Sequence, residues 1–531
     1  MNAQSLQILL LFCSIVVLAY MGLMSQKRVK KAEDMSVGGR SFTRWDIFFS
    51  LFAFWGGNTI SSIVELSFKD GVMAAWFGLA RITMLVLILL ITGGAFRKLA
   101  MITLSSFVSR CFGSPFLRLV SGVMIALNFT IFTVSSVVGA AAFFTTILGW
   151  SVWLSVLFTV FSFLTYTTLG GMHALAYNGK ILTVGQILSL LVLAGLGIWQ
   201  AGWGNVTALE PRFFDFLPAG RLGTVMMWMF TFVINAFVAQ AALQIVMSCK
   251  DIKEGKKGLS YVLSGFVPVI ILSVLAGLAA RVLYPGISAV AAMPTLATNM
   301  PSMVLSSIVV IGMYFTTLGW ASSCILSGGT VAANDIYRYF VPDATSAQLI
   351  RASRVAIVLL SLFTVGFAVL LPSGIEFWTI VGFVVRNAGL FPLILIGLFW
   401  NAISRRAAIA AALSGSGVGM AWYFIKFPAF LFDAHPMFVG MLVSIAVVTL
   451  GTLWEYRGRL TVSASGPGLL FAAVGMAGLA LCVVFAPHLA AMKITFACVS
   501  YAVCFLFVGV LFLIRRRNAD GSLYVFEPDF S

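Results

Sequence analysis

The sequence predicts an all-α polytopic membrane protein of about fifteen transmembrane helices, with the N-terminus outside and the C-terminus inside. Three observations carry this. Of 531 residues, 61% are hydrophobic and 9% charged, with mean hydropathy +1.05; a soluble protein of this size needs far more charge to cover its surface. Apolar stretches of about 20 residues, the length that crosses a bilayer's hydrocarbon core, recur along the chain. And 24 of the 33 Lys and Arg fall in alternate connecting loops, the asymmetry that sets orientation.

In chain order the spans are expected near 6–24, 46–68, 71–95, 119–148, 151–169, 178–200, 222–247, 260–283, 301–332, 355–372, 377–399, 407–425, 437–454, 468–487 and 494–514. The first lacks a cleavable-signal pattern and reads as a retained helix. The inward loops hold the basic clusters: Lys27 to Arg44, Arg97 to Arg118, Lys250 to Lys257, Arg338 to Arg354, Arg405–Arg406, Arg457 and Arg459, and Arg515–Arg517 before a short tail. The outward loops hold Lys69, Arg212, Arg221, Arg281, Lys426 and Lys493. The longest outward loop, about 201–221, carries Trp203, Arg212 and Phe213–Phe214 and is expected to lie on the membrane surface. The net charge of +16 is thus a product of topology and does not point to nucleic acid. The seven cysteines and the three histidines, His173, His435 and His488, show no metal-ligand spacing.

Function enters through charge at depth. Arg81, Lys180 and Arg386 lie inside apolar stretches, with no Asp or Glu equally deep. An intramembrane charge is expensive and marks a substrate or ion path by default. A guanidinium offers a planar fork of donors that fits a carboxylate, so Arg81 and Arg386 are read as contacts for an anionic solute, or else as braces bonded to helix carbonyls or stacked on Trp55, Trp76 or Trp320. Further polar candidates are Asn58, Asn128, Thr130, Asn235, Gln240, Gln244 and Asn387, each of which could instead serve helix–helix hydrogen bonding. No nucleophile with a base and no paired carboxylates lie at membrane depth, so an enzyme is not expected.

Local patterns sharpen the class. They are Gly38-Gly39-Arg40-Ser41-Phe42 with Trp45; Tyr166-Thr167-Thr168-Leu169-Gly170-Gly171-Met172-His173-Ala174; Gln244 followed by Lys250-Asp251-Ile252-Lys253-Glu254-Gly255-Lys256-Lys257-Gly258; Asn334-Asp335-Ile336-Tyr337; and Pro392 with Trp400 and Arg405-Arg406-Ala407. In order and spacing over about 35–410 the chain resembles the sodium:solute symporter family. The resemblance implies a LeuT-type core of two inverted five-helix repeats, 45–200 and 201–400. An extra helix and loop precede it (1–44), and four more helices and the tail follow (401–531). It implies that the first helix of each repeat is broken near the midplane, so that exposed backbone groups bind solute and ion. In the first repeat the break is expected at Trp55-Gly56-Gly57-Asn58-Thr59, although close packing by small residues would use the same glycines.

The resemblance also implies a sodium site built from backbone carbonyls of the second span and carbonyl and hydroxyl groups of the ninth. Here it falls on Ala53, Gly56, Thr316, Gly319 and Trp320, and the last two lack the hydroxyls; Ser322 and Ser323 would supply them in a shifted register. Where the family has an acid in the sixth span, Tyr177-Asn178-Gly179 stands here and Lys180 follows. That ammonium would either replace sodium or snorkel to the lipid surface. The positions used for sugar in this family fall near Ile60 and Gly78 and are not sugar ligands. The expectation is therefore a secondary transporter of the inner or plasma membrane. It moves a small polar, anionic solute by alternating access, needs no cofactor, and is coupled to Na+, to H+ or to neither. A ligand-sensing receptor on the same fold is the rival; the fourteen residues after Arg517 leave little room for a signalling domain.

Overall fold

The computed structural model describes residues 3–99, 101–371, 375–399, 404–425, 435–463 and 465–517. Trp400, Lys426 and the tail beyond Arg517 lie outside the described residues. The main helices are α1 (Ala3–Gln26), α2 (Arg44–Asp70), α3 (Ala75–Leu87), α4 (Leu104–Phe112), α5 (Pro115–Leu148), α6 (Val152–Ala201), α7 (Leu222–Val238), α8 (Gln240–Met247), α9 (Ile252–Leu283), α10 (Met303–Val331), α11 (Ser346–Leu370), α12 (Ile375–Phe383), α13 (Gly389–Phe399), α14 (Arg405–Ile425), α15 (Pro436–Glu455), α16 (Gly466–Val484) and α17 (Thr495–Leu513). One small antiparallel ribbon pairs β1 (Leu460–Val462) with β2 (Ile514–Arg516).

Twelve helices are long and apolar enough to cross a membrane, or thirteen if the bent pair α7–α8 counts as one span. All fifteen apolar stretches of the sequence fall on helices. Two continuous segments, Arg44–Lys98 of 55 residues and Val152–Ala201 of 50, are far longer than one crossing. Each is interrupted at a glycine of positive φ, Gly71 (68°) and Gly171 (52°). At Gly171 a Cβ would also lie 2.7 Å from the Met35 carbonyl oxygen, so conformation and space both demand glycine.

The basic loops gather at one end. Phe42 pairs with Cys249 as a one-residue parallel bridge, through Phe42 N to Ser248 O at 3.0 Å and Lys250 N to Phe42 O at 2.8 Å. Arg97 donates to the carbonyls of Cys249 and Lys250, Arg354 to Leu169 O, and the Arg517 amide to Arg459 O. At the opposite end Trp76 donates to Phe216 O, and Arg221 pairs with Asp70. Loops given the same side by charge therefore meet in space.

One expectation fails here. Helix α2 runs unbroken through Trp55-Gly56-Gly57-Asn58-Thr59. Its glycines serve packing instead: a Cβ on Gly57 would lie 2.5 Å from Thr316 Cα. Thr59 Oγ1 and Ser61 Oγ bond back to the carbonyls of Trp55 and Gly57, so those oxygens have partners. The break lies further along the chain, where α7 and α8 meet at 47° about Ala239 (ψ 65°).

Candidate functional site

Two cations without acids define the middle of the molecule. Arg81 sits on α3 and Arg386 in a single π-helical turn, Val384–Ala388, between α12 and α13. Both are buried, at 4% and 2% exposure. Arg81 Nη2 donates to Asn58 Oδ1 at 3.0 Å, and its guanidinium carbon lies 4.7 Å from the Phe232 ring centroid and 5.7 Å from that of Trp55. Its Nε has no partner among the described residues. Arg386 Nη2 donates to Asn235 Oδ1 at 2.6 Å and its Nε to Asn387 Oδ1 at 2.9 Å, over the Phe132 ring at 5.5 Å. Among the described residues neither pairs with a carboxylate.

One helix serves both. Phe232 and Asn235 stand three residues apart on one face of α7. A run of rings also links the two arginines: Trp55 stacks on Phe54 at 5.5 Å, Phe54 on Trp320 at 4.9 Å, and Trp320 meets Phe132 at 5.9 Å. Amide oxygens and ring faces stabilise a guanidinium through dipole and quadrupole but leave its full charge in place. Each guanidinium thus keeps a full positive charge among neutral partners.

The ion-site residues arrange differently. Ala53 O and Phe315 O accept 3.2 and 3.1 Å hydrogen bonds from a single donor, Gln186 Nε2 on α6. A Cβ on Gly319 would lie 2.1 Å from Ala53 O, so α10 and α2 touch backbone to backbone there. Ser322 and Ser323 direct their hydroxyls to Gly319 O at 3.4 and 2.9 Å, Thr316 directs its own to Met313 O, and Trp320 Nε1 donates to Phe132 O. Gly56 lies against the Gln186 side chain, where a Cβ would come 3.1 Å from Oε1. A hard cation needs several oxygens converging on one point; the two carbonyls that converge here, Ala53 O and Phe315 O, already share one amide donor, and Gly319 and Trp320 add no side-chain oxygen. Among the described residues no group of three or more His, Cys, Asp or Glu is placed to hold a metal ion.

Lys180 does not reach that junction. Its Nζ pairs with Asp46 at 3.0 Å, the side chain is 42% exposed, and it rides over Tyr177. It lies six residues, about 9 Å of helix, from Gln186. The cavity placement is corrected to a snorkelling one, because Asp46 at the start of α2 offers a wet partner. Gln240 and Gln244 likewise brace the backbone. Gln240 Oε1 accepts from Leu104 N and its Nε2 donates to Ile102 O; Gln244 Nε2 donates to Ser36 O and Thr330 Oγ1. Asn128 donates to Gly382 O and Thr130 to Ala126 O. Sequence reasoning missed Gln186 and Phe232. A buried amide in the apolar run 181–198 was the available signal for the first; nothing in the sequence marked the second.

Described residues that belong to or touch the motifs form ion pairs at the basic end. Arg44 pairs with Glu254 at 2.6 Å. Arg118 reaches the fully buried Asp335 at 2.7 Å, and Ser105 donates to the other carboxylate oxygen.

The model of the sodium:solute symporter family matches residues 36–415. The high-affinity proline transporter PutP of Bacillus subtilis is 22% identical over 374 residues, covering 66% of this chain and 77% of that one. The sodium/glucose cotransporter of Vibrio parahaemolyticus is 23% identical over 471 residues, covering 80% and 85%. Among solved structures, a substrate-bound, outward-open Na+-coupled sialic acid symporter superposes with a TM-score of 0.72 at 16% identity, covering 86% of this chain and 98% of that one. The likeness extends over the LeuT-type core.

Proposed function

The chain belongs to the sodium:solute symporter family, multi-pass membrane proteins that act as secondary transporters of solutes, and from that premise we propose that it carries a small anionic solute of carboxylate type across the cytoplasmic membrane by alternating access. The carrying observation is the pair of buried guanidiniums held by amides and rings, with no carboxylate against either among the described residues. A desolvated charge answered only by dipoles is costly. A solute carboxylate would supply the missing countercharge and accept the fork of donors. Proline and sialic acid, named for two of the similar proteins, both carry a carboxylate; glucose, named for a third, does not. The same reading places the basic end in the cytoplasm, because the loops gathered there hold most of the Lys and Arg.

The test is uptake into proteoliposomes of a panel of small carboxylates, each against its neutral amide. Acids should be taken up and amides not. In Arg386→Gln the acid should lose roughly 100-fold in apparent affinity, the effect of about 3 kcal/mol for a charge-assisted bond. Equal loss for acid and amide in both Arg386→Gln and Arg81→Gln would make the two arginines structural and overturn the reading. Cysteines introduced at Lys253 and Lys256, both exposed, should label from the cytoplasmic side; labelling from outside would reverse the orientation.

A further inference from the structure

We infer that the side-chain amide of Gln186 stands where a coupling sodium ion would sit, and that this carrier works without sodium. Three independent features of one junction carry this. First, the two carbonyls that converge there, Ala53 O on α2 and Phe315 O on α10, are both taken by one NH2 group at 3.2 and 3.1 Å. An amide nitrogen places two hydrogens about as far apart as two such acceptors require. Second, there is no room beside it. Gly319 approaches Ala53 O so closely that a Cβ would lie 2.1 Å away, and the same Cβ would be 3.4 Å from Gln186 Nε2. Third, the two positions of α10 nearest this contact, Gly319 and Trp320, carry no side-chain oxygen, and the Trp320 indole donates to Phe132 O.

The charge around the junction agrees with the geometry. Trp320 follows Gly319 and packs on Phe132, and the Phe132 ring lies beneath the Arg386 guanidinium. Trp55, two residues from Ala53, lies under Arg81. A cation here would be a third positive charge in a region that already holds two, in a medium that screens them poorly. The neutral amide bridges the same two helices without adding to that repulsion. It is also covalently part of α6. An ion could leave and loosen the contact between α2 and α10, whereas Gln186, which ties both to α6, cannot dissociate. Closure of the carrier then answers to the solute alone.

The amide orientation matters. Turned over, Oε1 would face two carbonyl oxygens, and that is tolerable only with a cation between them. The two orientations therefore predict opposite responses to sodium. The inference does not depend on which solute is carried. The probe is sodium itself, with thermal unfolding of the purified full-length protein followed in equimolar NaCl, KCl and choline chloride, and 22Na+ binding measured in parallel. The wild type should unfold at the same temperature in all three salts and bind no 22Na+. At alkaline pH Gln186→Glu, which sets a carboxylate against the two carbonyls, should gain a sodium-specific rise of a few degrees, as expected when a ligand binds the folded state alone. Any sodium-specific stabilisation or saturable 22Na+ binding by the wild type overturns the inference. So does a folded Gln186→Glu protein that gains no sodium response, because the carbonyls would then not converge on this side chain. If Gln186→Glu does not fold, the wild-type measurement decides alone.

Discussion

At the basic end of the molecule Arg44, Arg118 and Lys180 each face a carboxylate, at 2.6, 2.7 and 3.0 Å. In the middle Arg81 and Arg386 face amide oxygens and ring faces. The residues are of the same kind, and the partners differ in what they cancel. A carboxylate neutralises its cation, so the basic end is electrically finished and can act as a scaffold. An amide lowers the energy of the cation while leaving its charge, and under the proposed function an anionic solute would complete the middle. The ion pairs of the first region involve residues that belong to or touch the family's short motifs, and the two unanswered cations lie in the second, among residues those motifs do not include.

Breaking the first region should show the largest effect. Asp335 is fully buried beneath Arg118 and accepts from Ser105. Asp335→Asn should cost roughly 3–5 kcal/mol, the usual penalty for removing one member of a buried pair, read as a fall in unfolding midpoint and in membrane yield. A near-neutral result would mean that the basic end is held by its backbone bridges and not by this pair.

Next in size is the junction between the two regions. Gly57→Val would drive a side chain into the Thr316 backbone, 2.5 Å from where its Cβ would fall. Overpacking of this kind costs about 1–3 kcal/mol, and it should also separate α2 from α10. Thermal stability checks the first effect, and faster cross-linking or labelling of a cysteine at Phe315 checks the second.

A smaller change sharpens the view of the middle. Arg81→Lys keeps the charge and loses the planar fork. Apparent affinity for a carboxylate should fall about tenfold, the equivalent of about 1.4 kcal/mol, while maximal rate changes little. No change would place Arg81 as a source of field without direct contact.

The smallest effect is expected at Lys180. Its ammonium is 42% exposed and its partner Asp46 22%, and such pairs contribute roughly 0–1 kcal/mol. Lys180→Met should fold, and should transport at near wild-type rate. Loss of transport with retained folding would return Lys180 to the working part of the carrier and remove the distinction drawn between the regions.

Hydropathy located the helices because each one meets lipid or a neighbour over a whole face, and composition records that directly. The depth of Arg81 and Arg386 was legible for the same reason: a cation within an apolar run cannot be elsewhere. What composition does not record is the opposite wall. Whether Gly56-Gly57 breaks a helix or seats a neighbour depends on Thr316, more than 250 positions away. Whether Lys180 points inward depends on Asp46 waiting at the start of another helix. Gln186 was passed over because its two acceptors are backbone atoms, and backbone atoms have no letter in a sequence.

The bend at Ala239 turns α7 and α8 into a crank. The short arm, Gln240–Met247, is bolted to the frame through Gln240 to Ile102 and Leu104 and through Gln244 to Ser36. The long arm, Leu222–Val238, carries Asn235 and Phe232, which lie four and seven residues from the pivot, about 6 and 10 Å along the axis. Rotation about that point gives the far end of the arm a wide sweep and these two side chains a short throw. The two side chains that sit close to the pivot are the ones that touch Arg386 and Arg81.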